Sequence, residues 1–312
     1  MAEPVALAAL AMDAALGWPA WLYVRVGHPV GGFARLIGGC EQRWNRPIST
    51  PLMRQLAGVA TIALVVAAAA GGAWIAQAAV RAVFGPSGWP VIALLAWPAL
   101  AQRSLDDHVR AVATALERDD LSAARAAVGS IVGRDVAALD RSGVARAAVE
   151  SLSESFCDGV AAPLFWLLVG GLPGVWAYKA INTADSLIGH REERWRAFGW
   201  AAARLDDVAN LVPARVGGAL ICLAGWGGWR VMARDARRHA SPNAGWTEAA
   251  MAGVLRVRLA GPIAYDGVIA EKQWIGDGRT DLDARNVRQS LRVYRRACGL
   301  LWMVAGGFAW VL

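Results

Sequence analysis

Apolar positions in this chain fall into long runs separated by polar, arginine-rich stretches. The runs cover residues 5–24, 56–84, 89–101, 160–181, 211–231 and 297–312. A helix needs about 20 mostly apolar residues to cross a bilayer. Run 56–84 exceeds that length, and runs 5–24 and 211–231 reach it with some polar content. Runs 89–101 and 297–312 are short and fit half-buried segments. Run 160–181 carries Gly170-Gly171-Leu172-Pro173-Gly174 at its centre, the pattern of a kinked span or a re-entrant hairpin. Such breaks are tolerated at membrane depth only where the freed backbone is shielded.

The polar stretches read as amphipathic helices and turns. Residues 104–118 place Leu105, Val109, Val112 and Leu116 on one helical face. Asp119-Asp120 ends that helix and 121–132 forms another, followed by a turn-rich link at 133–143. Ser142-Gly143 opens a helix rich in carboxylates, 234–242 is a basic loop, and 281–296 is a third, arginine-rich amphipathic helix. No strand alternation, internal repeat or low-complexity linker is visible. The pattern predicts an all-α polytopic integral membrane protein with roughly four to six apolar segments, some re-entrant, and amphipathic extramembrane helices. It predicts a single integral membrane domain over 1–312, with polar helical segments 103–159, 182–210 and 233–296 forming the active-site face. Arginine-rich loops favour the cytoplasm. Those around Arg43–Arg54, after Arg103, at 191–204 and at 230–238 cannot all lie there if every run crosses once, so parity also favours re-entrant runs.

Composition agrees with a membrane class. The chain is 56% hydrophobic over 312 residues, with a mean hydropathy of +0.35. The formal net charge is +7, yet the arginines are interspersed with acidic residues, and no basic run alternates with aromatics. Nucleic acid is therefore a poor explanation of the basic balance and is not expected as a partner. Cys40, Cys157, Cys222 and Cys298 are too far apart for a zinc site or a redox pair and read as small buried hydrophobes. The start, Met-Ala-Glu-Pro with Asp13 inside the first run, lacks the basic region of a signal peptide and reads as a retained first segment.

Two polar clusters stand at membrane entrances. Arg146, Glu150, Glu154 and Asp158 recur at four-residue spacing and so share a helical face. They could hold a divalent cation, or be helix-stabilising pairs on a solvated surface. The second reading suits Arg146 and Glu150. It suits Glu154 and Asp158 less, because apolar sequence follows at once. Asp206, Asp207 and Asn210 put three oxygen-bearing groups in one turn, flanked by Arg204 and Arg215. That is a metal–phosphate arrangement or a polar helix end capped by Asn210 before Pro213. Asn182 and Asp185 share a face after run 160–181, and Lys179 beside them could touch phosphate or snorkel to the interface. Asp13 is a carboxylate inside an apolar run, and His28 near an interface reads as structural. Ser241-Pro242-Asn243-Ala244-Gly245 and Gly261-Pro262 are turns. No P-loop, nucleophile elbow, dinucleotide fingerprint or His-Glu-x-x-His is present.

Taken together these motifs resemble the CobD/CbiB family of cobalamin biosynthesis, over almost the whole chain and in the right order. They run from Asp13 and His28-Pro29-Val30 through Gly133-Arg134-Asp135, Arg146 to Glu150, and Asp158-Gly159. Tyr178 to Asp185, Phe198-Gly199-Trp200, Arg204 to Asn210, Pro213-Ala214-Arg215, Ser241 to Gly245 and Gly261-Pro262 continue the match. Ser155 and Ile263-Ala264 depart from the family pattern. The resemblance implies an adenosylcobinamide-phosphate synthase, a ligase of the bacterial inner membrane that passes through it several times, with its active site on the cytoplasmic side. It implies amide formation between a propionate of adenosylcobyric acid and (R)-1-amino-2-propanol phosphate, dependent on ATP and Mg²⁺. ATP would convert the propionate to an acyl phosphate for attack by the free amine. On that reading Glu150, Glu154, Asp158, Asp206 and Asp207 are the catalytic candidates, and Glu154, Asp158, Asp185 and Asp207 the metal candidates. Arg134, Arg146, Lys179, Asn182, Arg204, Asn210, Arg215 and Asn243 are the binding candidates, with Lys272 in reserve. The expected partners are the two substrates, membrane lipid and, where the chain does not act alone, a partner protein. The rival classes are a membrane transporter whose acidic faces line a path, and a transferase acting on a diphosphate lipid.

Overall fold

The computed structural model describes residues 4–133, 135–261, 263–265, 268–270 and 273–311. The described residues are mostly helical with almost no sheet, an all-α architecture. The helices in chain order are α1 (Val5–Leu16), α2 (Ala20–Val26), α3 (Pro29–Trp44), α4 (Pro51–Phe84), α5 (Trp89–Ala96), α6 (Gln102–Glu117), α7 (Leu121–Gly129) and α8 (Arg141–Phe156). After them come α9 (Ala162–Ile188), α10 (Glu193–Arg196), α11 (Trp200–Ala209), α12 (Leu211–Ala224), α13 (Trp229–Asp235), α14 (Ala244–Leu255) and α15 (Ala284–Val311). Local chemistry sets their starts. Thr50 accepts the Met53 N–H at 3.3 Å ahead of Pro51, and Asp120 and Asp140 accept from Ala123 and Gly143 at 2.9 and 2.7 Å.

Two helical stretches, Pro51–Glu117 and Arg141–Ile188, are long and apolar enough to cross a membrane. There are up to four if each bent pair, α1 with α2–α3 and α11 with α12, is one span. That upper count meets only the lower end of the four to six segments expected. In α4, Arg54 and Arg81 are separated by 27 residues. At 1.5 Å per residue that is about 40 Å, the distance between the two headgroup layers. Exposed Leu56, Val59, Leu64, Trp74 and Ile75 lie between them, as on a lipid-facing helix.

The chain divides into two compact units. Unit 1 comprises Met1–Ala101, Ala162–Asn210 and Ala305–Leu312. Here α4 packs along α9, with α3 and α11 against both. Close approach is enforced at Gly58, where an added Cβ would overlap the Phe198 carbonyl. The break expected in run 160–181 falls at Gly171, whose φ is 61°. Pro173 brings no N–H to the next turn, and the Leu172 N–H is taken by Gln77 Oε1 of α4 at 3.2 Å. A side chain of the neighbouring helix thus replaces a helical carbonyl. His28 is an N-cap, accepting the Val30 N–H at 3.3 Å, in line with its structural reading. Asp13 is buried in α1.

Unit 2 comprises Gln102–Ala161 and Leu211–Val304. The apolar faces of α6, α7 and α8 meet as their periodicity predicts. Phe156 packs edge-on to Tyr294 at 5.7 Å, and the Tyr294 hydroxyl donates to the Gln102 carbonyl at 2.7 Å. The arginine-rich segment and the last apolar run form one helix, α15, whose Arg288 and Arg295 pair with Glu117 and Asp106 of α6. Short strands not expected from the sequence follow α14. They are β1 (Leu259–Ala260), β2 (Ile263–Tyr265), β3 (Val268–Ala270) and β4 (Trp274–Ile275), pairing antiparallel as β1–β4 and β2–β3. The four cysteines are buried and form no disulfide.

Candidate functional site

Unit 1 brings together the residues expected at the end of α9 and on α11. Tyr178 and Asn182 lie one turn apart on α9, and Asp206 and Asn210 one turn apart at the end of α11. The Tyr178 hydroxyl donates to Asn210 Oδ1 at 3.0 Å. Asn210 Nδ2 donates to Asp206 Oδ2 at 3.0 Å, and Asn182 Nδ2 to Asp206 Oδ1 at 3.4 Å. The tyrosine therefore fixes which way the Asn210 amide points, and two amides fix the carboxylate plane. Lys179 and Asp207 both interact electrostatically with Asp206. Arg204 pairs with Asp207 at 3.2 Å from an exposed position. Asp185 lies just beyond, packed against Gly189, where any Cβ would overlap its carboxylate. Asn210 is also the C-cap of α11, so it serves both the capping role and the polar cluster.

Unit 2 holds the remaining candidates in two places. On α8, Arg146 and Glu150 are half-buried and Glu154 is exposed, while the residues between them are largely buried. The shared face is thus present, and Asp158 follows in the π-helical turn Cys157–Ala161. Glu150 Oε1 accepts the Ala260 N–H at 2.7 Å, and the Arg146 guanidinium lies 5.2 Å over the Trp274 ring. The second place joins α12 to the turn before α14. The Arg215 guanidinium carbon lies over the Trp246 ring, 4.7 Å from its centroid. The guanidinium donates to the Leu211 carbonyl at 2.6 Å and to Asn243 Oδ1 at 3.3 Å. Ser241 Oγ accepts the N–H groups of Asn243 and Ala244 at 3.2 and 3.3 Å. Arg134 and Lys272 lie outside the described residues.

Sequence reading missed two polar groups of unit 2. Glu248 is buried in α14 with its carboxylate 3.6 Å from His239 Nε2. A lone carboxylate in an apolar helix was the available signal. Asp235 is fully buried and accepts from Arg234 through two bonds, at 2.7 and 2.6 Å. Arg238 adds a contact at 3.1 Å and the Gly276 N–H a bond at 2.9 Å. Arg234 also grips Asp277 at 2.6 and 2.9 Å. Its hydrogen bonds hold Asp235 and Asp277 below the usual carboxylate range. The basic stretch 234–242 is thus no free loop: it ends α13 and is pinned to the strands.

No group of three or more His, Cys, Asp or Glu side chains among the described residues is arranged to hold a metal ion by itself. Mg²⁺ is commonly bound by only one or two carboxylates plus substrate phosphates. Asp206 with Asp207, beside Arg204 and Lys179, offers that donor set.

The fold and these clusters define a helical membrane protein whose polar chemistry is concentrated at apolar helix ends. The CobD/CbiB protein family matches residues 6–294, and the chain belongs to that family. Relatives named cobalamin biosynthesis protein CobD extend over nearly the whole length. The one from Rhodobacter capsulatus is 49% identical over 304 residues, covering 96% of this chain and 94% of its own. That from a Sinorhizobium species is 45% identical, covering 94% of both chains. That from Geobacter metallireducens is 43% identical, covering 97% of this chain and 96% of its own. No solved structure matches.

Proposed function

We propose that this protein acts in cobalamin biosynthesis as an adenosylcobinamide-phosphate synthase. It joins a propionate carboxylate of adenosylcobyric acid to (R)-1-amino-2-propanol phosphate in an amide bond, using ATP and Mg²⁺. The observation that carries the reading is the 49% identity, along 96% of the chain, to a relative named for cobalamin biosynthesis. The proposed setting is the bacterial inner membrane, crossed several times, with the site facing the cytoplasm. Membrane lipid and, where needed, a partner protein complete the surroundings.

Amide formation in water requires activation of the carboxylate, neutralisation of phosphate charge and removal of a proton from the ammonium. Mg²⁺ would supply charge neutralisation on the phosphates, with Asp206 and Asp207 as its protein ligands. Two asparagine amides orient the Asp206 carboxylate, so its geometry is set before substrate arrives. Arg204 and Lys179 supply positive charge at the same cluster. Arg215, seated over Trp246 and anchored by its bonds to Leu211 and Asn243, keeps a guanidinium ready for phosphate or carboxylate.

The test is a mass-spectrometric assay of purified protein in detergent with adenosylcobyric acid, amino-propanol phosphate and MgATP. The amide product should appear and vanish when ATP or Mg²⁺ is withheld. Asp207→Asn should lose more than about 100-fold in turnover while remaining folded in detergent. Absence of product from folded wild-type protein, even with cell extract added, favours the transporter or the diphosphate-lipid transferase.

A further inference from the structure

Two carboxylates on different helices take hold of the two ends of one chain excursion in unit 2. The excursion leaves at β1 and returns at β4, paired in register Leu259↔Ile275 and Ala260↔Trp274. At the outgoing end, Glu150 of α8 accepts the Ala260 N–H at 2.7 Å. At the returning end, Asp235 of α13 accepts the Gly276 N–H at 2.9 Å. The backbone is left-handed at both ends: φ is 58° at Ala260, 80° at Gly261 and 96° at Gly276. A glycine adopts such angles readily, whereas Ala260 is strained and persists only where its surroundings hold it. Gly261 has no substitute, since a Cβ there would lie 2.6 Å from the Trp274 ring. That same ring carries the Arg146 guanidinium at 5.2 Å. Arg146 and Glu150, one turn apart on α8, therefore both act on the paired strands β1 and β4.

The bond to Ala260 requires an acceptor oxygen at one place. It does not require a negative charge, and a glutamine carbonyl can meet it. Strained left-handed residues concentrate at ligand clamps, where the held conformation is what the site needs. We propose that Glu150 is a positioning residue. Its carboxylate holds the Ala260–Gly261 turn, Arg146 holds Trp274 beside it, and turnover depends on Glu150 through that turn and not through proton transfer. This rests on the reaction proposed above.

The test compares Glu150→Gln, Glu150→Ala and the double variant Glu150→Ala with Ala260→Gly. Glu150→Gln should keep kcat/KM within about threefold of wild type, and Glu150→Ala should lose about tenfold or more, the scale of one hydrogen bond to a charged group. Glycine at 260 adopts the left-handed turn unaided, so the double variant should recover most of the loss. A Glu150→Gln enzyme as inactive as Glu150→Ala, with no recovery in the double variant, assigns Glu150 a chemical role and overturns the proposal. Amide hydrogen exchange at Ala260 gives a readout independent of activity. Exchange should quicken in Glu150→Ala and stay protected in Glu150→Gln, and unchanged protection in Glu150→Ala overturns the clamp. Should wild-type protein form no product, the reaction assignment fails while the exchange result still decides the clamp.

Discussion

Asn210 is the hinge of the unit 1 cluster at the scale of single residues. It accepts from a buried tyrosine and donates to a carboxylate, so one amide couples an apolar helix interior to the charged end. Asn210→Ala removes both bonds and should cost about 1–3 kcal/mol. Tyr178→Phe removes one and should cost about 0.5–1.5 kcal/mol. Thermal unfolding in detergent should therefore rank wild type above Tyr178→Phe above Asn210→Ala, and the reverse order of the two variants would show that the amide is not the shared partner. Part of this cluster was legible in the sequence, because Asp206, Asp207 and Asn210 fall within one helical turn and Asn182 follows an apolar run; Tyr178 entered only through the family resemblance. The partners of Glu150 and Asp235 were not legible. Ala260 is 110 residues beyond Glu150, and Gly276 is 41 beyond Asp235. In both, the partner is a backbone N–H, which has no side-chain signature.

Among the elements, the long helices follow from apolar run length, and the α9 break follows from Gly170-Gly171-Leu172-Pro173-Gly174. The strands were hidden because two or three residues are too few to display alternation. Continuity of α15 was hidden for a different reason: its amphipathic half and its apolar half carry different patterns on one rod. The α4–α9 contact yields a prediction of its own. Gln77→Leu keeps the bulk of the side chain but withdraws the acceptor from the Leu172 N–H, which should lower stability by about 1–3 kcal/mol. A Gln77→Leu thermal midpoint equal to wild type would mean that the N–H finds another acceptor without loss.

For the whole molecule, the Asp235–Arg234–Asp277 network gives stability a direction with pH. Both carboxylates are held below their ordinary range by Arg234, so the folded state binds fewer protons there than the unfolded chain. Their contribution is complete above the unfolded carboxylate pKa, near 4. It is lost as pH falls through the folded values. Acid unfolding followed in detergent should show this slope, and Asp235→Asn should flatten it while lowering stability at neutral pH; a slope unchanged in Asp235→Asn would remove the network from the account. The Gly171 break bears on how the chain is made. Ribosomes deliver α4 before α9, so Gln77 has already been synthesised when the interrupted helix emerges. The gap in α9 is thus closed by a group synthesised some 95 residues earlier. A circular permutant or split version that delivers α9 first would leave that backbone amide without this acceptor until α4 arrives.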